Sequence, residues 1–303
     1  MGAGILAFGP ILLVSVEQGF VFSLLAIGVM LTFKILDIAD LSVEGTFPLG
    51  AFVFAKMITQ GLSPGIGMAL GFLAGCLAGS LTYFLYKKVH IAALLSGILT
   101  MTILHTANLR ITGKSNVPLL NFPNIFDYFG GKNKLIILFA IALVIKLLLD
   151  WFFKTEKGYL LTVTGDNEKL VRALGENPNK YTFLGLVLSN GLVSLSGSLM
   201  AQFQGYIDIT MGQSMIVTAL ASIIIGDTLL KNSKKLRLTT RAILGAIIYR
   251  IIYGIALHIG LNPDDLKAIT AFIVIIFIAY NNITAFRTGQ KQIKKGKREY
   301  AKN

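Results

Sequence analysis

The sequence predicts an all-α protein that crosses a membrane about nine times, and three observations carry this prediction. Charged residues make up 14% of the 303-residue chain, against about 25% in an ordinary soluble domain. Apolar runs near the ~20 residues needed to cross a bilayer recur along the chain. Lys and Arg are concentrated in alternate gaps between those runs.

The predicted spans are the apolar runs, taken in chain order. They lie at 11–32, 40–59, 64–86, 90–110, 133–153, 181–206, 215–230, 242–258 and 267–286. The run at 215–230 is short and could be a half-helix. The spans form one transmembrane domain at 1–286, with a polar loop at 154–180 and a basic tail at 287–303.

The distribution of positive charge predicts the orientation. With the C-terminus in the cytoplasm, most of the 28 Lys and Arg residues fall in cytoplasmic segments and the N-terminus lies outside. The basic tail then sits near anionic lipid. The net charge of +13 does not indicate nucleic-acid binding, because the basic residues lie in short gaps between apolar runs and in the tail.

The mixed-charge stretch at 165–180 has the pattern of a short amphipathic helix. Asp166 or Asn167 can cap its N-terminus, Gly175 suits its C-terminal end, and Pro178 is predicted to end it. Its predicted apolar face holds Leu170, Val171 and Leu174. A helix this short is marginal alone in water. The residues alone leave two interpretations open, docking to a partner protein and lying on the membrane surface.

Four stretches resemble the permease subunits of bacterial ABC importers of the branched-chain amino acid type. They are "ADLSVEGTFPLGAF" (39–52), "LLSGILTMTILHTANLRITGKSNVPLL" (94–120), "GDNEKLVRALGENPNK" (165–180) and "MGQSMIVTALASIIIGDTLL" (211–230). The resemblance covers nearly the whole chain. It implies that residues 165–180 form a coupling helix seated in a groove of a separate ATPase subunit.

The resemblance also implies partners and site residues. The coupling residues that the resemblance supplies are Gly165, Asp166, Asn167, Arg172, Ala173, Gly175 and Asn177. Leu170, from the predicted apolar face, is added to them. The implied partners are two ATPase subunits, an extracellular substrate-binding protein and a second permease copy, as a homodimer or a heterodimer. ATP and Mg²⁺ would bind the ATPase, so this chain is expected to be neither an enzyme nor a cofactor carrier. The expected location is the bacterial inner membrane.

Polar residues and helix breakers within spans, or directly after the sixth span, are candidates for a solute pathway, because such groups are costly in lipid unless they face a cavity or a partner. The candidates are Glu44, Gly45, Pro48, Thr100, Asn108, Gln202, Gln204, Asp208 and Gly212. The alternatives are a structural kink for 37–50 and helix packing for the hydroxyl residues of the fourth span. Spans 1–4 and 6–9 are possible inverted repeats that meet at the midplane.

Arg250 lies midway along a predicted span and requires an anion or a set of carbonyls. It could meet a substrate carboxylate, and a structural pair with Asp227 is the favoured interpretation. The three histidines have no metal-ligand spacing, and no nucleotide-binding loop is present in the sequence. The resemblance to the permease family implies an importer permease for an amino acid, aromatic or branched-chain. The alternatives are a nucleoside or sugar importer and an ion-coupled transporter.

Overall fold

The computed structural model describes residues 2–130, 133–230 and 236–261, with single positions between 268 and 279. Its helices are α1 (Gly2–Met30), α2 (Val43–Thr59), α3 (Pro64–Tyr83), α4 (Ala93–Thr112), α5 (Lys134–Phe152), α6 (Glu156–Asp166), α7 (Glu168–Ala173), α8 (Pro178–Gln204), α9 (Met215–Leu230) and α10 (Leu238–His258). Single π-helical turns extend α1 through Leu31–Ile35 and α3 through Phe84–Lys88. Strands β1 (Asn116–Pro118) and β2 (Tyr206–Asp208) pair antiparallel.

The predicted all-α membrane class is confirmed. Within the described residues, seven helices are long and apolar enough to cross a membrane. Helix α2 has 17 residues and is buried along most of its length, so it completes the bundle as a shorter member. The predicted ninth span, at 267–286, falls outside the described residues except at single positions, and the tail at 287–303 lies wholly outside them.

Helix α8 is the centre of the bundle, and its Gly- and Ser-rich middle explains this position. Small residues allow close approach of helix backbones where the hydrophobic effect gives no preference for protein over lipid. Four buried serines of α8 donate hydrogen bonds to main-chain carbonyls of α1, α2 and α3. The pairs are Ser189 to Gly28, Ser194 to Gly71, Ser196 to Val21 and Ser198 to Gly50, at 2.6 to 2.9 Å.

A non-helical segment at residues 36–42, called the break below, separates the helical turns that end α1 from α2. Asp37 has a φ of 54°, a conformation that side chains other than glycine rarely adopt. The buried Asp40 carboxylate accepts hydrogen bonds from the Ser42 N–H at 2.9 Å and the Asn190 side chain at 2.8 Å. The sequence predicted irregular backbone within 37–50, but Gly45 and Pro48 lie inside α2. The break therefore precedes the glycine and proline positions.

Helices α2 and α9 run in opposite directions. Helix α2 is parallel to α8, with Thr46 bonded to Asn190 and Gly50 packed on Ser194. Helix α9 packs antiparallel to α10, which, like α8, is antiparallel to α1. The inverted repeat of the two halves stays a prediction, and opposite directions of α2 and α9 are a condition that it must meet.

The basic end of the bundle gathers the ends of α1, α3, α5 and α9 with the starts of α8 and α10. Lys34 pairs with Asp227, Lys87 with Glu168, and Arg237 with Asp150. We call this the cytoplasmic end, following the predicted orientation, and the opposite end, with β1 and β2, the outer end. Helices α6 and α7 lie at the cytoplasmic end.

Candidate functional site

Helix α7 is a separate short helix with well-formed caps at both ends. The Asn167 side chain accepts hydrogen bonds from the N–H groups of Lys169 and Leu170 at 3.0 and 3.2 Å. At the other end, Gly175 has a φ of 81° and its N–H bonds the Arg172 carbonyl, while the N–H of Glu176 reaches Val171. These two bonds form a Schellman motif. The predicted N-cap at 167 and glycine end at 175 are therefore found in the structure.

Two details of the predicted 165–180 helix are wrong. Gly165 and Asp166 are the last residues of α6 rather than the start of α7. Pro178 begins α8 instead of ending a helix, because proline suits the first helical position and Asn177 caps it by accepting from the Asn179 N–H. Residues 165–180 therefore hold the end of α6, the whole of α7 and the start of α8, and Asn167 is the cap that α6 and α7 share.

The three residues of the predicted apolar face of α7 do not all point the same way. Val171 is fully buried in the main core, whereas Leu170 and Leu174 are 46% and 58% exposed. One turn apart, these two leucines share the outward surface with Ala173 and the exposed Arg172. We call Leu170, Arg172, Ala173 and Leu174 the outward face of α7.

Contacts with the bundle hold α7 in place. Glu168 accepts from Lys87 at the end of α3 at 3.2 Å, and Arg172 lies 3.5 Å from the other oxygen of Glu168. In α6, Gly165 packs directly on the Ile35 carbonyl, where a side chain would collide. Displacement of α7 would therefore be transmitted to the ends of α1 and α3.

A cavity of about 310 Å³ lies between α2, α4 and the turn before α9, and we call it the α2–α4 cavity. Five predicted pathway residues line it, namely Glu44, Gly45, Pro48, Asn108 and Gly212. Pro48 has no N–H, so the Glu44 carbonyl lacks its usual partner within the helix. Gly212 packs on that carbonyl, where no larger residue fits.

The polar groups of the α2–α4 cavity come from two helices. The Asn108 amide donates to the Gly45 carbonyl at 3.2 Å, and its Oδ1 is buried without a partner among the described residues. The Glu44 carboxylate faces the backbone N–H groups of Ser214 and Ile216 at the start of α9. A carboxylate is stabilised at a helix N-terminus by the helix dipole. The Asn108 oxygen is enclosed beside this cavity, so it is an unpaired polar atom at the cavity wall.

Four predicted pathway residues lie outside this cavity, and two of them, Thr100 and Gln202, make packing contacts within the protein. Thr82 donates to Thr100 at 3.1 Å, which joins α3 to α4. Gln202 accepts from the Ile125 N–H at 2.9 Å and donates to the Ser198 carbonyl, which fixes the loop before α5. Both arrangements match the packing role that hydroxyl and amide side chains have in membrane bundles.

A second cavity of about 310 Å³ opens at the outer end, and we call it the Arg250 cavity. It contains the predicted residues Gln204 and Asp208. Its lining is Phe22, Phe47, Asn116, Met200, Gln204, Tyr206, Asp208, Thr210, Met211, Met215 and Arg250. Thr210 borders both cavities. Sequence reasoning missed Phe22 and Asn116, because an apolar residue in a span and a polar residue in a loop are both unremarkable in isolation.

The predicted pair of Arg250 with Asp227 is wrong. Asp227 pairs with Lys34 and, at 3.7 Å, with Arg241 at the cytoplasmic end. The Arg250 guanidinium instead stacks 3.4 Å above the centre of the Phe22 ring. Its Nε is buried without a hydrogen-bond partner in the described part of the chain.

Asp208 supplies negative charge to the same cavity. Its carboxylate accepts from the Thr210 N–H at 2.8 Å and from the Asn116 amide at 3.2 Å. The Thr210 hydroxyl also donates to it, and these bonds hold the pKa of Asp208 below its usual value despite partial burial. Asp208 is therefore ionised at neutral pH, as an acceptor for a cationic group must be.

Comparison with known proteins gives a consistent result. The family described as "Branched-chain amino acid transport system / permease component" matches residues 11–279. The chain is 42% identical to the "Tyrosine transport system permease protein" of Clostridioides difficile, over 92% of this chain and 94% of that one. It is 33% identical to an uncharacterized protein of Rickettsia prowazekii, over 90% and 98% of the two chains.

Two more distant similarities are found. A "Probable ABC transporter permease protein" of Sinorhizobium fredii is 24% identical over 90% of this chain and 81% of its own. Among solved structures, a metal-chelate type ABC transporter in an inward-facing conformation covers 92% of this chain and 85% of its own at 14% identity. Its TM-score of 0.45 is too low to support an inference.

Proposed function

Because this chain belongs to the family of branched-chain amino acid-type permease subunits of ABC transporters, we propose that it is the membrane subunit of an ATP-driven amino acid importer. The solute that we propose is tyrosine or a similar aromatic amino acid, with branched-chain amino acids as the next class. The relative named as a tyrosine permease supports this choice, because it is similar over nearly the full length of both chains.

The observation that carries the proposal is the outward face of α7. A helix of six residues is too short to persist alone, yet α7 is capped at both ends and tied to α3 and α8. It presents two exposed leucines to solvent at the cytoplasmic end. We propose that this face docks in an ATPase subunit, with Arg172 and the neighbouring Asp166, Asn167, Gly175 and Asn177 at its rim.

We propose the remaining parts of the transporter from the family to which the chain belongs. A binding protein delivers solute at the outer end, and two permease copies, in the simplest case identical, enclose the passage. The α2–α4 cavity is part of that passage, and Glu44, Asn108 and Gly212 line it. ATP is hydrolysed in the partner subunit, so this chain contributes movement of α7 rather than chemistry.

The test is co-purification of the tagged chain from its native membrane in mild detergent, with an ATPase assay of the eluate. A Leu170→Asp, Leu174→Asp variant is expected to lose the ATPase subunit and most ATP hydrolysis, because two buried apolar contacts become charged. The matched control is Leu120→Asp, since Leu120 is 82% exposed at the outer end.

Full retention of the ATPase by the α7 variant would contradict the docking proposal. The solute proposal is tested separately by uptake of radiolabelled tyrosine, leucine, a nucleoside and a sugar into cells with and without the chain. Uptake of a nucleoside or sugar in place of the amino acids would overturn the proposed solute class and leave the ABC permease assignment intact.

A further inference from the structure

We propose that the Arg250 cavity is the subsite in which the permease holds the zwitterionic head of an amino acid, with Arg250 on the carboxylate and Asp208 on the ammonium. This inference rests on the proposed function and assigns a place within the protein to its solute. The cavity lies at the outer end, where solute would arrive.

Arg250 is the first reason. The side chain is 8% exposed, and among the described residues it has ring contacts with Phe22 and Tyr253 but no ion pair. A buried charge without a counter-charge is strongly unfavourable. The guanidinium offers a planar fork of donors that matches a carboxylate in two parallel hydrogen bonds. An anionic ligand in the cavity would supply the missing counter-charge.

Asp208 is the second reason. Its carboxylate lines the same cavity, is held by Thr210 and Asn116, and retains its negative charge at neutral pH. A cation and an anion in one cavity complement a zwitterion better than a neutral sugar or nucleoside. The two charges also fix the direction in which the solute lies.

The walls of the cavity are the third reason. They are built of Phe22, Phe47 and Tyr206 with three methionines, Met200, Met211 and Met215. Aromatic rings favour edge or offset contacts with another ring, and methionine side chains adapt to a flat ligand. The volume of about 310 Å³ is near the lower limit for small-molecule sites. A single aromatic amino acid is the solute class that fits.

The α2–α4 cavity provides the contrast within the same molecule. Of similar size, it has the Glu44 carboxylate already facing the start of α9 and no Lys or Arg in its lining. It can pass a polar solute but cannot pair with a carboxylate. Because Thr210 borders both cavities, a solute released from the Arg250 cavity has a neighbouring route along α2.

The first experiment measures tyrosine uptake in cells that express the whole transporter with Arg250→Gln, Arg250→Lys or Asp208→Asn. Arg250→Gln is expected to lower the maximal rate at least about ten-fold, since bonds to a charged group are lost. The maximal rate of Arg250→Lys should lie between those of Arg250→Gln and the unchanged transporter, because lysine keeps the positive charge but lacks the planar fork of donors. KM, which the binding protein sets, should change less than about two-fold. Arg110→Gln, at an exposed arginine of α4, is the control.

The outcomes separate this inference from the proposed function. If the unchanged transporter takes up no amino acid, the proposed function fails. If it takes up tyrosine and Arg250→Gln does so equally, the subsite is wrong and the function stands. Two acids of the chain, Asp264 and Asp265, lie outside the described residues. The same loss of rate in an Asp264→Asn, Asp265→Asn variant, with Arg250 intact, would assign the arginine to an ion pair within the chain and overturn its role as a ligand-binding residue.

A second experiment covers the case in which the Arg250 variants do not accumulate in the membrane. The unchanged transporter is irradiated with 4-azidophenylalanine, a photoreactive aromatic amino acid, and the labelled peptides are identified by mass spectrometry. Label is expected on α9 near Met215 or on the turn at Met211, and excess tyrosine should remove it. Label confined to the α4 side of the α2–α4 cavity would overturn the proposal.

Discussion

The interior of the bundle and its cytoplasmic end are held together by different interactions. In the interior, serines of α8 donate to carbonyls of neighbouring helices, and glycines bring the backbones into contact. At the cytoplasmic end, Lys87, Arg237 and Lys146 form ion pairs with Glu168 and Asp150. Lipid gives helices no hydrophobic reason to associate, so close packing and neutral hydrogen bonds act inside. Charges are tolerated where water and headgroups solvate them.

Asp40 is one interior position that departs from this division. The side chain is an acid, fully enclosed, and its described partners are the neutral groups of Ser42 and Asn190. These bonds join the break at 36–42 to the middle of α8. Thr46 donates to the same Asn190 side chain, so one network fixes the start of α2.

The largest effect is expected from adding a side chain at Gly197. A Cβ there would collide with the Phe47 backbone of α2, which cannot move aside as a flexible side chain could. Gly197→Val is therefore expected to destabilise the fold by more than about 3 kcal/mol. The measurement is the yield of monodisperse protein in detergent. Gly65→Val is the matched control, because nothing lies within 4 Å of a Cβ at Gly65; equal yields would contradict the close-packed interior.

A smaller effect is expected when the Asp40 network is broken. Asp40→Leu removes the acceptor of the Ser42 N–H and one of the two acceptors of the Asn190 amide, and it should cost about 2–3 kcal/mol. Asp40→Asn keeps one acceptor oxygen and should lose less. Thermal unfolding of the purified protein in detergent measures both variants. If Asp40→Leu melts at the same temperature as the unchanged protein, the network does not stabilise the break.

What the sequence predicted well was local. The caps of α7 depend on Asn167 and Gly175, which act on backbone groups a few residues away, so their pattern is visible in the chain. The all-α membrane class depends on run length and charge, which are also local. The candidates around 44–48, 108 and 212 were found because polar groups and breakers inside apolar runs are rare.

What the sequence did not predict depends on depth and on partners distant in the chain. Asn190 and Asp40 are hydrogen-bonded although they are 150 residues apart in the sequence, and no local sequence pattern predicts such a pair. The Arg250–Asp227 prediction failed for a geometric reason. Helices α9 and α10 form an antiparallel hairpin, so Asp227, near the turn, faces Arg241; Arg250 lies nine residues further along α10, about 14 Å away.

The smallest effect, and the sharpest test of the comparison, is expected from the Lys87–Glu168 pair that ties α7 to α3. Both side chains are partly exposed and 3.2 Å apart. A double-mutant cycle of Lys87→Ala and Glu168→Ala should give a coupling free energy of about 0.5 kcal/mol, because exposed pairs are well solvated. The coupling free energy is obtained from the unfolding free energies of the four proteins of the cycle, measured at low and at high salt. It should decline as salt rises, since exposed charges are screened, whereas the cost of Asp40→Leu should not change. A coupling energy that is insensitive to salt would show that this pair is as shielded as the interior network. The division between a charged, wet end and a neutral, dry interior would then fail at the helix on which docking depends.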